Sequence, residues 1–151
     1  MTRRVSTLEQ AMESLDYFNG FHDGFIKRLS VFSQDEFKAI GEQSCSGELT
    51  LEIIFAHYNY QKGQRPYNQL IEARFSGVKD IMINFSGNSY EWAINSLSIG
   101  EAQRSREDGV EEGCLNAVIV QNRLEDGRGW ILHEDMKFTF KSCIMREVEA
   151  A

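Results

Sequence analysis

The chain has 151 residues, 42% hydrophobic and 26% charged, an ordinary composition for one globular domain whose core needs no metal or disulfide support. With 16 Lys plus Arg against 23 Asp plus Glu, its formal net charge is -7, which repels nucleic-acid phosphates and suits a basic protein partner. Cys45, Cys114 and Cys143 are odd in number and form no Cys-x-x-Cys pair, and no apolar run nears the roughly 20 residues of a membrane span; zinc frameworks, disulfide scaffolds and membrane insertion are disfavoured, and a reduced, cytoplasmic protein is expected.

Arg3-Arg4 is the only tight basic cluster and is expected to be mobile, with no signal-peptide apolar core behind it. Ser6-Thr7-Leu8-Glu9 reads as a capping box, and Leu8, Ala11, Met12 and Leu15 follow at helical spacing, which predicts a short helix over residues 6 to 16. From Phe25 the period becomes two, giving a strand to Phe32, and residues 34–47 are polar and read as a loop. The clearest strand carries Leu49, Leu51, Ile53, Phe55 and His57 on one face. Residues 59–69 contain the only proline, Pro66, and read as a loop. Ile71, Ala73 and Phe75, then Ile81, Ile83 and Phe85, continue the alternation across a break at Gly77, and residues 86–89 make a turn. Residues 90–99 fit either a strand or an irregular helix, and residues 101–113, charged and glycine-punctuated, read as an exposed loop. Asp126-Gly127 marks a tight turn between the β-rich runs 115–121 and 130–144. No strand–helix alternation occurs, so a parallel doubly wound sheet is disfavoured. The expected fold is a single, mainly β (α+β) domain over 1–151: an antiparallel sheet, as a sandwich or a partly open barrel, with one N-terminal helix packed on it.

The segment Tyr17-Phe18-Asn19-Gly20-Phe21-His22-Asp23-Gly24-Phe25-Ile26 combines ionisable side chains, aromatic neighbours and two glycines where the helix hands over to the first long strand. A His22–Asp23 contact would fix an imidazole tautomer and raise its basicity. Adjacent strand residues point to opposite faces, so the two meet only in a bend. The structural reading sets His22 on local backbone and Asp23 as a cap or turn closer. His57 continues an apolar face to the strand end and is either a core-edge histidine or a pocket-lining one. Trp92 joins His22, Asp23 and His57 as a candidate binding residue. His133-Glu134-Asp135 lacks the second histidine of a helical zinc site, and the three histidines have no ligand spacing. No nucleophile elbow, P-loop or dinucleotide fingerprint occurs. No catalytic residue, metal ligand or cofactor is therefore assigned.

Phe21-His22-Asp23 at the opening of the first strand, with Phe138-Thr139-Phe140-Lys141-Ser142-Cys143 in a late β run, resembles small bacterial domains that include the immunity protein 50 family of toxin-neutralising proteins. The resemblance covers a small part of the chain and assigns no contact residue. It implies an acidic cytosolic protein that binds and blocks a toxin. The expected function is therefore a non-enzymatic binding protein; the alternative is a small-molecule-binding β domain, or an enzyme, with a pocket lined by His22, His57 and Trp92.

Overall fold

The computed structural model describes residues 2–43, 46–59, 65, 67–84, 93–106, 108–125 and 127–149. In chain order the elements are β1 (Thr2–Val5), α1 (Leu8–Tyr17), a single helical turn (Asn19–Phe21), β2 (Phe25–Ser33), β3 (Phe37–Ala39), β4 (Glu42–Gln43), β5 (Leu49–Asn59), β6 (Tyr67–Ile83), β7 (Ile94–Arg106), β8 (Gly109–Glu125), β9 (Gly129–Phe140) and β10 (Ser142–Val148). The protein is mainly β, and its antiparallel sheet curls into a half-barrel with α1 packed on it.

The curl originates in one long strand pair. The first part of β6 lies between β5 and β10, and its last part pairs with β9. Since β9 and β10 are separated only by Lys141, they run along β6 as one strand bent opposite Gly77. Gly77 has φ +65°, and a Cβ there would lie 2.8–2.9 Å from the Lys141 side chain, so the bend requires glycine. On one side of the bend the strands run β2-β5-β6-β10-β1; on the other, β6-β9-β8-β7. Both sets turn their apolar faces inward. Leu51, Ile53, Phe55, Ile71, Phe75, Ile119, Met136, Phe138 and Phe140 are buried in one contiguous core, where Phe75 meets Phe138 and Phe140 edge-on at 4.8 and 4.9 Å.

Several expectations change. Thr2–Val5, with Arg3 and Arg4, is a strand paired to β10, not a mobile end. The helix cap is Thr7: its side chain accepts from Gln10 N at 3.2 Å, while Gln10 Oε1 accepts from Ser6 N at 2.8 Å. The cap therefore lies one residue later than Ser6, and Gln10 reaches back to the amide before the cap rather than to the cap's own. Ala11 and Ser14 are buried and Met12 is exposed, because the helix meets β1 and β7 on a narrow stripe. Within 101–113, expected as a loop, residues 101–106 and 109–113 are strand and form the far arms of the β7–β8 hairpin, most of which extend past β9 as a two-stranded ribbon. The polar stretch 34–47 contains the small β3–β4 hairpin. Residues 94–99 are strand, and β6 already begins at Tyr67. Pro66, Phe85, the turn at 86–89 and Cys45 lie outside the described residues. Cys114 and Cys143 are buried free thiols, and burial pushes the Cys143 thiol well up. No helix among the described residues is long and apolar enough to cross a membrane.

Candidate functional site

The helix-to-strand junction closes the mouth of the half-barrel. Asn19, Gly20 and Phe21 all have positive φ, between 50° and 58°, so the turn is left-handed. Phe21 N donates to Phe18 O and His22 N to Asn19 O, each at 3.0 Å. A left-handed residue other than glycine costs roughly 1–2 kcal/mol. Burial offsets that cost: Phe21 stacks on Phe55 at 4.2 Å and on Phe18 at 4.9 Å, all three fully buried. Asp23 and Gly24 join the start of β2 to β7, because Asp23 N donates to Ile94 O at 2.9 Å and Ile94 N to Gly24 O at 2.8 Å. Gly24 is needed for approach rather than for an unusual φ, since a Cβ there would lie 2.7 Å from Ala56 O.

His22 and Asp23 therefore sit side by side in a bend. His22 Nδ1 donates to the Asn95 carbonyl at 2.7 Å, a partner on β7 and not a local one, and a carbonyl can only accept, which fixes that tautomer. His22 Nε2 lies 3.6 Å from Asp23 Oδ2. The Asp23 carboxylate is largely exposed, and its φ of +64° belongs to the left-handed region that Asp and Asn tolerate best.

His57 is 5% exposed and meets the edges of Phe18 and Phe21 at 5.7 and 5.3 Å. Its burial pushes the imidazole pKa down, and its Nδ1 has no hydrogen-bond partner among the described residues. It begins a buried polar patch at the mouth end of an otherwise apolar row. Gln69 lies opposite His57 in the β5–β6 register, and Asn59 opposite Tyr67. Asn59 Nδ2 donates to Gln69 Oε1 at 2.9 Å, and Gln69 Nε2 donates to the Tyr67 hydroxyl at 3.2 Å. Burial first, then the Glu147 charge, holds the Tyr67 pKa up.

Two clefts open here, and Asp23 lines both. The larger, about 830 Å³, has Asp23, Glu147 and Glu149 with Phe25 and Tyr58 around it, Leu70 and Val148 as apolar lining, and His57 and Gln69 beneath. The smaller, about 430 Å³, lies between Asp23, Ala93, Asn122 and Trp130. The structure thus brings Asp23 and His57 to one cleft, with His22 beside Asp23, while Trp92 lies outside the described residues. Sequence reasoning missed Trp130 and Glu147. Trp130 stands three residues after the Asp126-Gly127 turn signal of the sequence, and an aromatic that near such a signal was usable; Glu147 carried none, because only the pairing of β10 with β6 brings it to this end of the sheet. Carboxylates and half-exposed rings suit recognition of a cation. No cluster of three or more His, Cys, Asp or Glu among the described residues is arranged to hold a metal ion.

The opposite end carries a charge cluster that periodicity could not reveal. Arg104, 2% exposed, donates to Gly77 O at 2.7 Å and to Glu111 at 3.2 Å, with Glu48 at 3.7 Å. Lys141 reaches Glu48 at 2.7 Å and Glu111 at 3.1 Å. The Lys141 hydrogen bond, followed by Arg104, holds the Glu111 carboxyl below its usual range. These side chains fasten the Gly77–Lys141 bend, which is a structural task.

No family model, curated protein or solved structure matches this chain.

Proposed function

We propose that this is a non-catalytic, cytoplasmic binding protein whose partner is a basic protein, in the manner of the toxin-neutralising immunity proteins that Phe21-His22-Asp23 and the 138–143 segment resemble. The observation that carries this reading is the composition of the barrel mouth. Phe25, Tyr58 and Trp130 are 49%, 49% and 56% exposed around the two clefts that share Asp23. Large rings held half in solvent beside carboxylates are the material of interface hot spots. A net charge of -7 speeds encounter with a basic surface and selects against acidic ones.

The test is affinity purification from the native host at near-physiological salt, with wild type beside a Tyr58→Ala/Trp130→Ala double variant that keeps its circular dichroism spectrum. A basic protein retained by wild type and lost by the variant is the expected result. Recovery of a tightly bound metabolite and no protein would instead favour the alternative, a small-molecule-binding β domain or enzyme using His22, His57 and Trp92. That alternative draws on the 830 Å³ cleft, but the His57 ring itself lies against Phe18 and Phe21.

A further inference from the structure

β2 is an edge strand. Among the described residues it pairs only with β5. We propose that its open edge is covered by a second copy of this chain, through antiparallel pairing of the two β2 strands about a twofold axis at Val31. This surface is separate from the mouth and its clefts.

The first observation is the direction of the backbone groups. Gln34 N donates to Glu48 O at 3.0 Å, so residues 34 and 48 form a bonded pair of the β2–β5 ladder. Bonded pairs recur at every second residue of an antiparallel ladder. Phe32, Ser30 and Arg28 therefore also direct their N–H and C=O groups to β5, while Leu29, Val31 and Ser33 direct theirs outward. A twofold axis normal to the sheet reverses strand direction and keeps each face on its own side. Pairing about Val31 then sets Val31 opposite Val31, and Leu29 opposite Ser33, so each outward group meets a complementary one.

The second observation is what the edge exposes. Val31 and Phe32 are each 46% exposed, although Val31 shares the face of the buried Leu51 opposite it. The pairing covers both, with Val31 against Val31 and Phe32 beside Ser30 of the second copy. β2 blunts its edge only at its start, where the register shifts between Ile26 and Arg28 around Lys27. From Arg28 to Ser33 there is no further shift and no proline.

The third observation selects the occupant. The segment is basic at its start, Lys27-Arg28, and acidic at its end, Asp35-Glu36, with uncharged residues between. Lys27 and Arg28 have no ion pair among the described residues. Ser46 N and Oγ donate to Asp35 Oδ1 at 2.7 and 3.0 Å, which holds that carboxyl below its usual range and keeps it charged. Pairing about Val31 places Lys27 opposite Asp35, with Arg28 and Glu36 alongside, at both ends of the seam. A uniformly basic strand would meet Lys27 and Arg28 with like charge, and a uniformly acidic one would meet Asp35 and Glu36. A strand with the same charge order running the other way matches both ends, and a second copy supplies it.

So short a seam falls below the about 20–30 residues a side of a stable interface, so the dimer exchanges with monomer. Sedimentation equilibrium of the full chain should show a rise from one chain toward two between about 10 µM and 1 mM. Val31→Pro is the backbone test. Its lost N–H points outward, so the β5 ladder and the circular dichroism spectrum should persist while association weakens at least about tenfold. Hydrogen exchange supplies an independent measure: the Leu29, Val31 and Ser33 amides of wild type should be protected at the high concentration and exchange freely at the low one.

Charge reversal tests the register without proline. Lys27→Glu/Arg28→Glu and Asp35→Lys/Glu36→Lys each bring like charges together at both ends and should be monomeric. Mixed in equal amounts, the two variants restore opposite charges and should form the heterodimer. A wild type that stays monomeric to the highest concentration overturns the proposal and leaves Lys27 and the bulge as guards of the edge. Association unchanged in Val31→Pro, or a mixture no more associated than its components, overturns it as well. Protection of the three amides that requires a bound basic protein rather than concentration assigns the edge to that partner, against the second copy.

Discussion

Asp23 is the residue at which the structural and functional readings separate. Its backbone ties β2 to β7, while its carboxylate, 3.6 Å from His22 Nε2, is largely exposed between two clefts. The local cost of changing it comes from φ +64°. Asp23→Ala should lose about 1 kcal/mol because alanine enters that region reluctantly, whereas Asp23→Asn should be close to neutral. Denaturant unfolding of the two variants checks this; equal loss in both would mean that the charge, not the backbone, matters for stability. Phe21→Ala removes a fully buried ring stacked between Phe18 and Phe55 and should cost roughly 3–5 kcal/mol by the same measurement.

At the level of elements, the β6 bend is the weak point that the Arg104 cluster secures. Arg104→Ala leaves Glu111 and Glu48 facing only Lys141 and orphans the Gly77 carbonyl, so it should destabilise by about 3 kcal/mol, the scale for breaking a buried pair from one side. Lys141→Ala, at a half-exposed position, should cost under about 1 kcal/mol. A double-mutant cycle between Arg104 and Glu111 should show coupling, and simple additivity would count against the clamp. Gly77→Ala tests the bend itself, since it combines a left-handed backbone with a clash at 2.8 Å against Lys141; a loss of more than about 1 kcal/mol is expected in thermal or denaturant unfolding.

For the whole molecule, two groups set opposite ends of an acid profile. The folded state holds the His57 pKa below the ordinary imidazole value of 6.5, so the unfolded chain takes up the proton first and stability falls as pH drops below about 6.5. Glu111 is held below the ordinary 4.5, so its contribution is present above that value and is lost as pH falls through its folded-state pKa. Urea midpoints measured downward from neutral pH should therefore decline in two stages. His57→Phe should flatten the first stage and leave the second; an unchanged first stage would remove His57 as its source.

Period-two patterning from Phe25 to Ile144 determined the mainly β class, and alternation placed Leu51, Ile53, Phe55 and His57 on the buried face, because side-chain direction in a strand is a local property. The helix was equally local, displaced by one residue because Thr7 rather than Ser6 satisfies the first amides. The residues 22, 23 and 57 were visible as candidates for the same reason. Tertiary structure alone decided that they meet at the mouth, that Trp130 and Glu147 join them, and that Arg104 is buried. Those outcomes depend on strands far apart in sequence: β1 on β10, Gly24 against Ala56, Asp23 against Ile94, and a bend shared by Gly77 and Lys141. The half-barrel follows from that bend, whose cause is a contact between residues 64 positions apart, and no periodicity along the chain encodes such a contact.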